Sequence, residues 1–311
     1  MAYGIGGGGI VGLAPEATPN TYLAPTKFFP ITSETLNYTE AHYLRRSIRQ
    51  NVDVYGVIQG NVNTIGDMEF EATEDVVPFF LNASRLTVVK TGTTNFTYTC
   101  TPNANAQASK TLSLTIVRNN QVFGFVGCVV GSWSLSTAEG ILMMRVSIVG
   151  SDEATQSAPS PTFAQIAPFA TGQYTFSIPQ GTPITDVDSF EFTAEDNAEP
   201  QFRLKSTGRG AQYIKFGERN ARLSFDRDFP DRTEFDSFKA TTPTTVRILA
   251  SKGANNSIQI DIPQAVRDVY NVQLGSQGDL IRSHQEMQCV LDNTAGYPFQ
   301  VTVKTQENFT P

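Results

Sequence analysis

The stretch Asp67-Met68-Glu69-Phe70-Glu71-Ala72, followed by Thr73 to Leu81, decides the fold. Acidic and apolar residues alternate in its first half. Period two places Met68 and Phe70 on one face of a strand and Asp67, Glu69 and Glu71 on the other. The continuation predicts a short helix from about Thr73 to Leu81 that ends in the paired aromatics Phe79 and Phe80. Thr73 is its candidate N-cap, Glu74 and Asp75 suit the first turn, and Pro78 works against it.

The same alternation recurs outward along the chain, in Thr111 to Ile116, Thr175 to Ile178, Ser189 to Thr193, Leu223 to Asp226 and Ser257 to Ile262. Ile141 to Val149 is more continuously apolar. A second short helix is predicted from about Pro230 to Lys239, with Pro230 at its first position and Asp231 at its positive end. Phe235 and Phe238 share one of its faces.

Composition agrees with a strand-rich chain. Of 311 residues only 17% are charged, and 21 Phe with 10 Tyr supply a core. Net charge is −7, and this acidity argues against a protein that grips nucleic acid by its phosphates. No apolar stretch is long enough to span a bilayer, so no membrane partner is expected. No basic segment followed by an apolar run opens the chain, so no secretory signal is expected. Three widely spaced cysteines, Cys100, Cys128 and Cys289, read as reduced thiols in strands or core. Residues 1–27 form an arm rich in Gly and Pro whose apolar residues fit either ordering against a neighbour or a disordered tail. A proline-punctuated connector, residues 153–173, divides the rest into 28–152 and 174–311.

The order of elements repeats across that connector. Ile31-Thr32 leads to Leu36, and Ile184-Thr185 leads to Phe190, with Leu36 matched to Phe190 at an offset of 154. Basic segments follow, Arg45, Arg46 and Arg49 in one half and Arg203, Lys205 and Arg209 in the other. Next come strands ending at Phe70 and Phe225, an offset of 155, then the short helices. Ile141 to Val149 and Met287 to Leu291 close the two halves. The inferred unit is a mainly antiparallel sheet with one flanking helix, present twice.

Three further stretches carry a family resemblance. They are Phe28-Phe29-Pro30-Ile31-Thr32-Ser33-Glu34-Thr35-Leu36, Gly60 to Phe80, and Val130-Gly131-Ser132-Trp133-Ser134-Leu135-Ser136 with its turn at Glu139-Gly140 and return along Ile141 to Gly150. Over about residues 28–150 and 174–305 the chain resembles the major tail tube proteins of long-tailed (siphovirus-type) bacteriophages. The resemblance implies a mainly β fold: two tandem β-sandwich or half-barrel domains, each with a short flanking helix. It implies a non-enzymatic virion protein without cofactor or metal, assembled in the host cytoplasm into stacked hollow rings that guide the genome. Its implied partners are further copies of itself, in ring and inter-ring contacts, and the tape measure, tail terminator and distal tail proteins. Viral DNA passes without specific binding. Two units per chain, where the simplest members carry one and form hexamers, predict a ring of three chains.

Under this resemblance the acids Asp67, Glu69 and Glu71, with Glu218 and Asp226 in the second half, line the lumen and repel phosphates. The alternative is an ordinary solvated sheet face. Arg45, Arg46, Arg49, Arg203, Lys205 and Arg209 belong to loops between rings, or to solvated hairpins. Other signals are weak. Gly4 to Gly9 lacks the residues of a phosphate loop. Asp226-Arg227-Asp228 misses the calcium-loop spacing. His42 and His284 are isolated. A two-domain adhesin or carbohydrate binder is the second reading, and it calls for exposed aromatic platforms in a chain with one Trp. A glycoside hydrolase with paired carboxylates is the third.

Overall fold

A computed structural model describes residues 9–46, 53–105, 107–108, 110–204, 208–274 and 279–310. The first part of the chain forms β1 (Ile10–Pro15), β2 (Lys27–Phe29), β3 (Ser33–Glu34), β4 (Asn37–Arg45), β5 (Gly56–Glu71), α1 (Val77–Asn82), β6 (Leu86–Thr91), β7 (Phe96–Pro102), β8 (Leu112–Arg118), β9 (Gln121–Ala138), β10 (Ile141–Gly150) and β11 (Asp152–Thr155). The second forms β12 (Tyr174–Ser177), β13 (Pro183–Ile184), β14 (Val187–Glu195), β15 (Glu199–Gln201), β16 (Tyr213–Lys215), β17 (Asn220–Asp228), α2 (Thr233–Lys239), β18 (Thr244–Gly253), β19 (Asn256–Gln273), β20 (Arg282–Cys289) and β21 (Gln300–Thr305). The fold is mainly β, as the alternation predicts.

One antiparallel sheet organises the molecule. Its order is β4–β5–β10–β9–β14–β17–β20–β19, with β3 continuing β4 along β5. The first four strands come from the first half and the last four, in the same relative order, from the second. Register repeats as well. Phe70 pairs with Met144 and Met144 with Leu135, while Phe225 pairs with Gln285 and Gln285 with Tyr270. The predicted match of Phe70 to Phe225 therefore coincides with the sheet register. The match of Leu36 to Phe190 does not. Glu34 lies opposite Met68 and Phe192 opposite Leu223, so Glu34 is the counterpart of Phe192 and the sequence anchor is four residues out. The loop residues between the strands carry no periodic signal that would have fixed it.

Strands β9 and β19 are long because each serves two layers. Their N-terminal parts pair with β8 and β11, and with β18 and β21, respectively. β1 and β2 extend the first of these layers, and β12 and β13 the second. Hairpin β6–β7 of the first half joins β21 of the second. One apolar cluster runs through both halves, from Phe29, Phe70 and Phe80 to Trp133, Phe192 and Phe299.

Several local expectations change. Part of the arm, Ile10–Pro15, is a buried strand of the chain's own sheet. Thr111 to Ile116 alternates in sequence, yet β8 is buried on both faces. Its outer face is covered by the segment after β1. Glu16 accepts from Thr111 Oγ1 at 2.6 Å and Ser113 Oγ at 2.9 Å, and Tyr22 Oη meets Thr115 Oγ1 at 2.7 Å. Helix α1 begins later than predicted, at Val77, so Pro78 falls in the first turn, where no N–H is needed. Thr73 donates to Asp75 Oδ1 at 2.5 Å and is not the cap. Glu74 and Asp75 lie ahead of the helix, paired with Lys252 at 2.7 Å and Lys27 at 2.8 Å. α2 begins at Thr233, beyond Pro230, and Asp231 Oδ1 accepts from the Thr233 N–H at 2.7 Å. The closing strand of the second half ends at Cys289, short of Leu291. Glu139 and Gly140 form the β9–β10 turn with φ of +50° and +80°, as a tight hairpin requires.

Candidate functional site

The eight-stranded sheet has a buried face against the core and an outward face. Asp67, Glu69 and Glu71 stand on the outward face, while Met68 and Phe70 point inward. Pairing carries the outward rows across both halves. Glu71 lies opposite Met143, Met143 opposite Ser136, Ser136 opposite Glu191, and Glu191 opposite Ser224, which faces Glu286. The neighbouring row runs Glu69, Arg145, Ser134, Thr193, Arg222. Carboxylates outnumber guanidinium groups on this face, and serines fill its centre.

Arg145 donates to Asp67 at 2.8 Å, and that hydrogen bond raises the guanidinium's pKa above its ordinary value. Asp226 also faces outward. It accepts from Ser189 at 3.1 Å and meets His284 Nδ1 at 2.8 Å, with Glu286 3.4 Å from Nε2. The hydrogen bond to Asp226 is the main cause of a raised His284 pKa. The pairing favours the folded state fully below the ordinary value of 6.5 and fades as pH rises through the folded value. Asp226-Arg227-Asp228 is strand, not a cation loop, and Arg227 points into the core. Glu218 lies exposed in the segment between β16 and β17, ahead of the paired residues of β17. Glu191, Glu195 and Glu286 belong to the face and were missed. The alternation Ser189 to Thr193 was legible as a strand, but nothing in the sequence set its neighbours.

The basic residues separate. Arg45 ends β4 with its guanidinium 5.1 Å from the Tyr55 ring centre, and Arg46 is exposed beside it. Arg203 lies 5.5 Å from the Tyr213 ring centre and donates to its hydroxyl at 2.8 Å. Arg209 folds back on the first half, paired with Glu40. Arg49 and Lys205 lie outside the described residues.

The two hairpin tips also differ. Hairpin β15–β16 continues β14–β17 and packs Ala211, Ile214 and Phe216 against Val129 and Val149. Its first-half counterpart, the tip of β4–β5, exposes Tyr43, Leu44, Val57 and Ile58.

Two sheet edges are open among the described residues. β3 and β4 pair only with β5, and the C-terminal part of β19 pairs only with β20. Between them, inside the chain, lies the corresponding closed seam, β9 against β14. There Phe192 lies opposite Leu135 and Ala194 opposite Trp133, with the Trp133 and Phe192 rings 5.4 Å apart.

The described residues hold no His, Cys, Asp and Glu cluster fit for a metal ion. Cys100, Cys128 and Cys289 are free and buried. Burial pushes the Cys100 and Cys289 thiols up to about 12 and the Cys128 thiol well above its usual value, so they are poor nucleophiles. No described helix is long and apolar enough to cross a membrane. What the fold offers is a repeated sheet with an acidic face and two unfilled edges.

A comparison with curated proteins finds no match. The family model for the phage tail tube protein matches residues 6–301, nearly the whole chain. The chain therefore belongs to the phage tail tube protein family, whose members are structural components of the virion.

Proposed function

We propose that this chain is the tube subunit of a long-tailed, siphovirus-type phage, with two tail-tube units in tandem at residues 28–152 and 174–311. Copies join head to tail, β3–β4 of one chain against β19 of the next, and three chains close a ring of six units. Rings stack into a hollow conduit for genome delivery, and the outward acidic face lines it. Family membership implies self-assembly and other tail proteins as partners. The finer assignment is contact with tape measure, tail terminator and distal tail proteins, and passage of DNA without specific binding.

The observation that carries this reading is the β9–β14 seam. Each chain contains one unit-to-unit junction, and its two free edges are the same two strands of the repeat without a partner. A heterologous contact of this kind closes when its rotation divides a full turn. A negative wall keeps polyphosphate mobile. The test is electron microscopy of the concentrated protein. End-on averages are expected to show a hollow ring with three-fold symmetry and six similar lobes. A six-fold ring of whole chains defeats the three-chain closure, and protein that stays monomeric even when seeded with tail-tip extract defeats the tube reading.

A further inference from the structure

The internal seam holds more than paired strands. The β9–β10 turn of the first half presses against the second half beside β12 and β14. Thr137 Oγ1 accepts from the Phe190 N–H at 3.2 Å, and Tyr174 Oη donates to the Gly140 carbonyl at 3.2 Å. The corresponding place on the first half lies beside β1, β3 and β8. There the chain has an open groove of about 540 Å³, lined by Ile10, Val11, Ile31, Glu34, Ile116 and Arg118.

The corresponding turn of the second half joins β19 to β20. β9 and β10 pair up to Ala138 and Ile141, leaving two residues in the turn, whereas the described pairs of β19 and β20 run out to Gln273 and Arg282. The described residues at this end carry exposed apolar side chains. Val272 is 41% exposed, Leu274 83%, Leu280 64% and Ile281 41%. Groove and tip lie at opposite edges of the one sheet, so a chain does not fill its own groove.

We propose that the β19–β20 tip of one copy docks into the β1–β3–β8 groove of the next, in the register of the internal seam, with Thr32 opposite Val272 of the second copy. This rests on the head-to-tail ring of the preceding section. Transferring the register also puts Glu34 opposite Tyr270 and, across the bulge between Arg267 and Val269, Leu36 opposite Arg267. Both inter-copy pairs are more polar than the internal pairs Phe192–Leu135 and Ala194–Trp133 that they match. That difference fits a seam whose two sides must stay in water until they meet. The edge is also guarded in the free chain. Leu36 donates its N–H to Glu34 at 3.1 Å, and its carbonyl accepts from Arg118, which holds Glu34 with two bonds of 2.7 Å. Pairing at Leu36 requires this clasp to open, a form of edge protection that blocks indiscriminate strand addition.

The test uses the full chain carrying Thr32→Cys and Val272→Cys. Both sites are solvent-exposed, and the native thiols are buried. Mild oxidation of assembled protein is expected to give a covalent ladder that stops at one closed ring, and neither single variant gives it. Separately, Leu274→Asp with Leu280→Asp is expected to raise the concentration needed for assembly by tenfold or more, about the effect of losing 1.4 kcal/mol per contact, with unchanged unfolding. If wild-type rings form but the paired thiols do not link, or the double aspartate variant assembles as wild type, the docking is wrong while the ring reading stands. If wild-type protein forms no ring at all, both fall.

Discussion

Glu234 is one carboxylate serving two nearly buried guanidinium groups. Its Oε1 lies 2.6 Å from Arg227 Nη1 and 3.6 Å from Arg267 Nη2, and Oε2 accepts from Gln285 at 2.7 Å. Arg227 also reaches Asp186 at 2.6 Å. Burial lowers the Arg267 pKa, yet guanidinium is basic enough to remain charged. Removing Glu234 leaves two buried cations without their shared counter-ion. Glu234→Ala is expected to destabilise the chain by about 3–5 kcal/mol, read as a lower urea midpoint, and a loss below about 1 kcal/mol would show the cluster to be dispensable. At the matching inward positions the first half has Ala72 for Arg227 and Met144 for Gln285. This explains why β20 is hard to read in sequence. Its inward residues Ser283 and Gln285 are polar, so the apolar period that exposes β5 is missing.

Hairpins show how the same element serves two purposes. The β15–β16 tip is seated on Val129 and Val149, whereas the β4–β5 tip has Tyr43, Leu44, Val57 and Ile58 in solvent on both of its faces. Exposed apolar residues on both sides of a two-stranded ribbon contribute little to the monomer and suit an inter-ring contact. Replacing residues 44–57 with a two-residue Asn-Gly turn is expected to change unfolding stability by no more than about 0.5 kcal/mol. The same variant is expected to form rings that fail to stack, seen as short or single-layer particles by microscopy. Tubes of wild-type length would remove this hairpin from the inter-ring contact. The sequence marked both hairpins by their arginines but could not separate them, because packing of the second depends on valines far away in the chain. Helix α1 was legible through Phe79 and Phe80: Phe80 packs with Phe29 and Phe70 at ring separations near 5 Å, and Phe79 stacks on Phe309 at 4.4 Å. Its start was misplaced because Glu74 and Asp75 mimic a helix N-terminus while being buried themselves and paired with Lys252 and Lys27.

At the scale of the whole molecule, alternation reveals which residues share a face but not what that face meets. The sheet order supplies the missing part, since it joins Glu71 of the first half to Glu191 and Glu286 of the second in one outward row. If that row lines a closed conduit, its residues become unreachable from outside on assembly although they stay wet. Glu191 is exposed in the single chain, so Glu191→Cys is expected to react with a polymer-tagged maleimide as a monomer. In finished tubes the same thiol is expected to resist the large reagent and still accept a small maleimide. Equal reaction with both reagents would place the acidic face on the tube exterior and would leave its charge with no bearing on DNA. Protection from both would place it in a ring contact, where so many carboxylates meeting without counter-ions is costly. Only the size-selective result combines water access with enclosure. A wall that repels phosphate needs that combination, because a conduit must keep its charge solvated while excluding everything but its cargo.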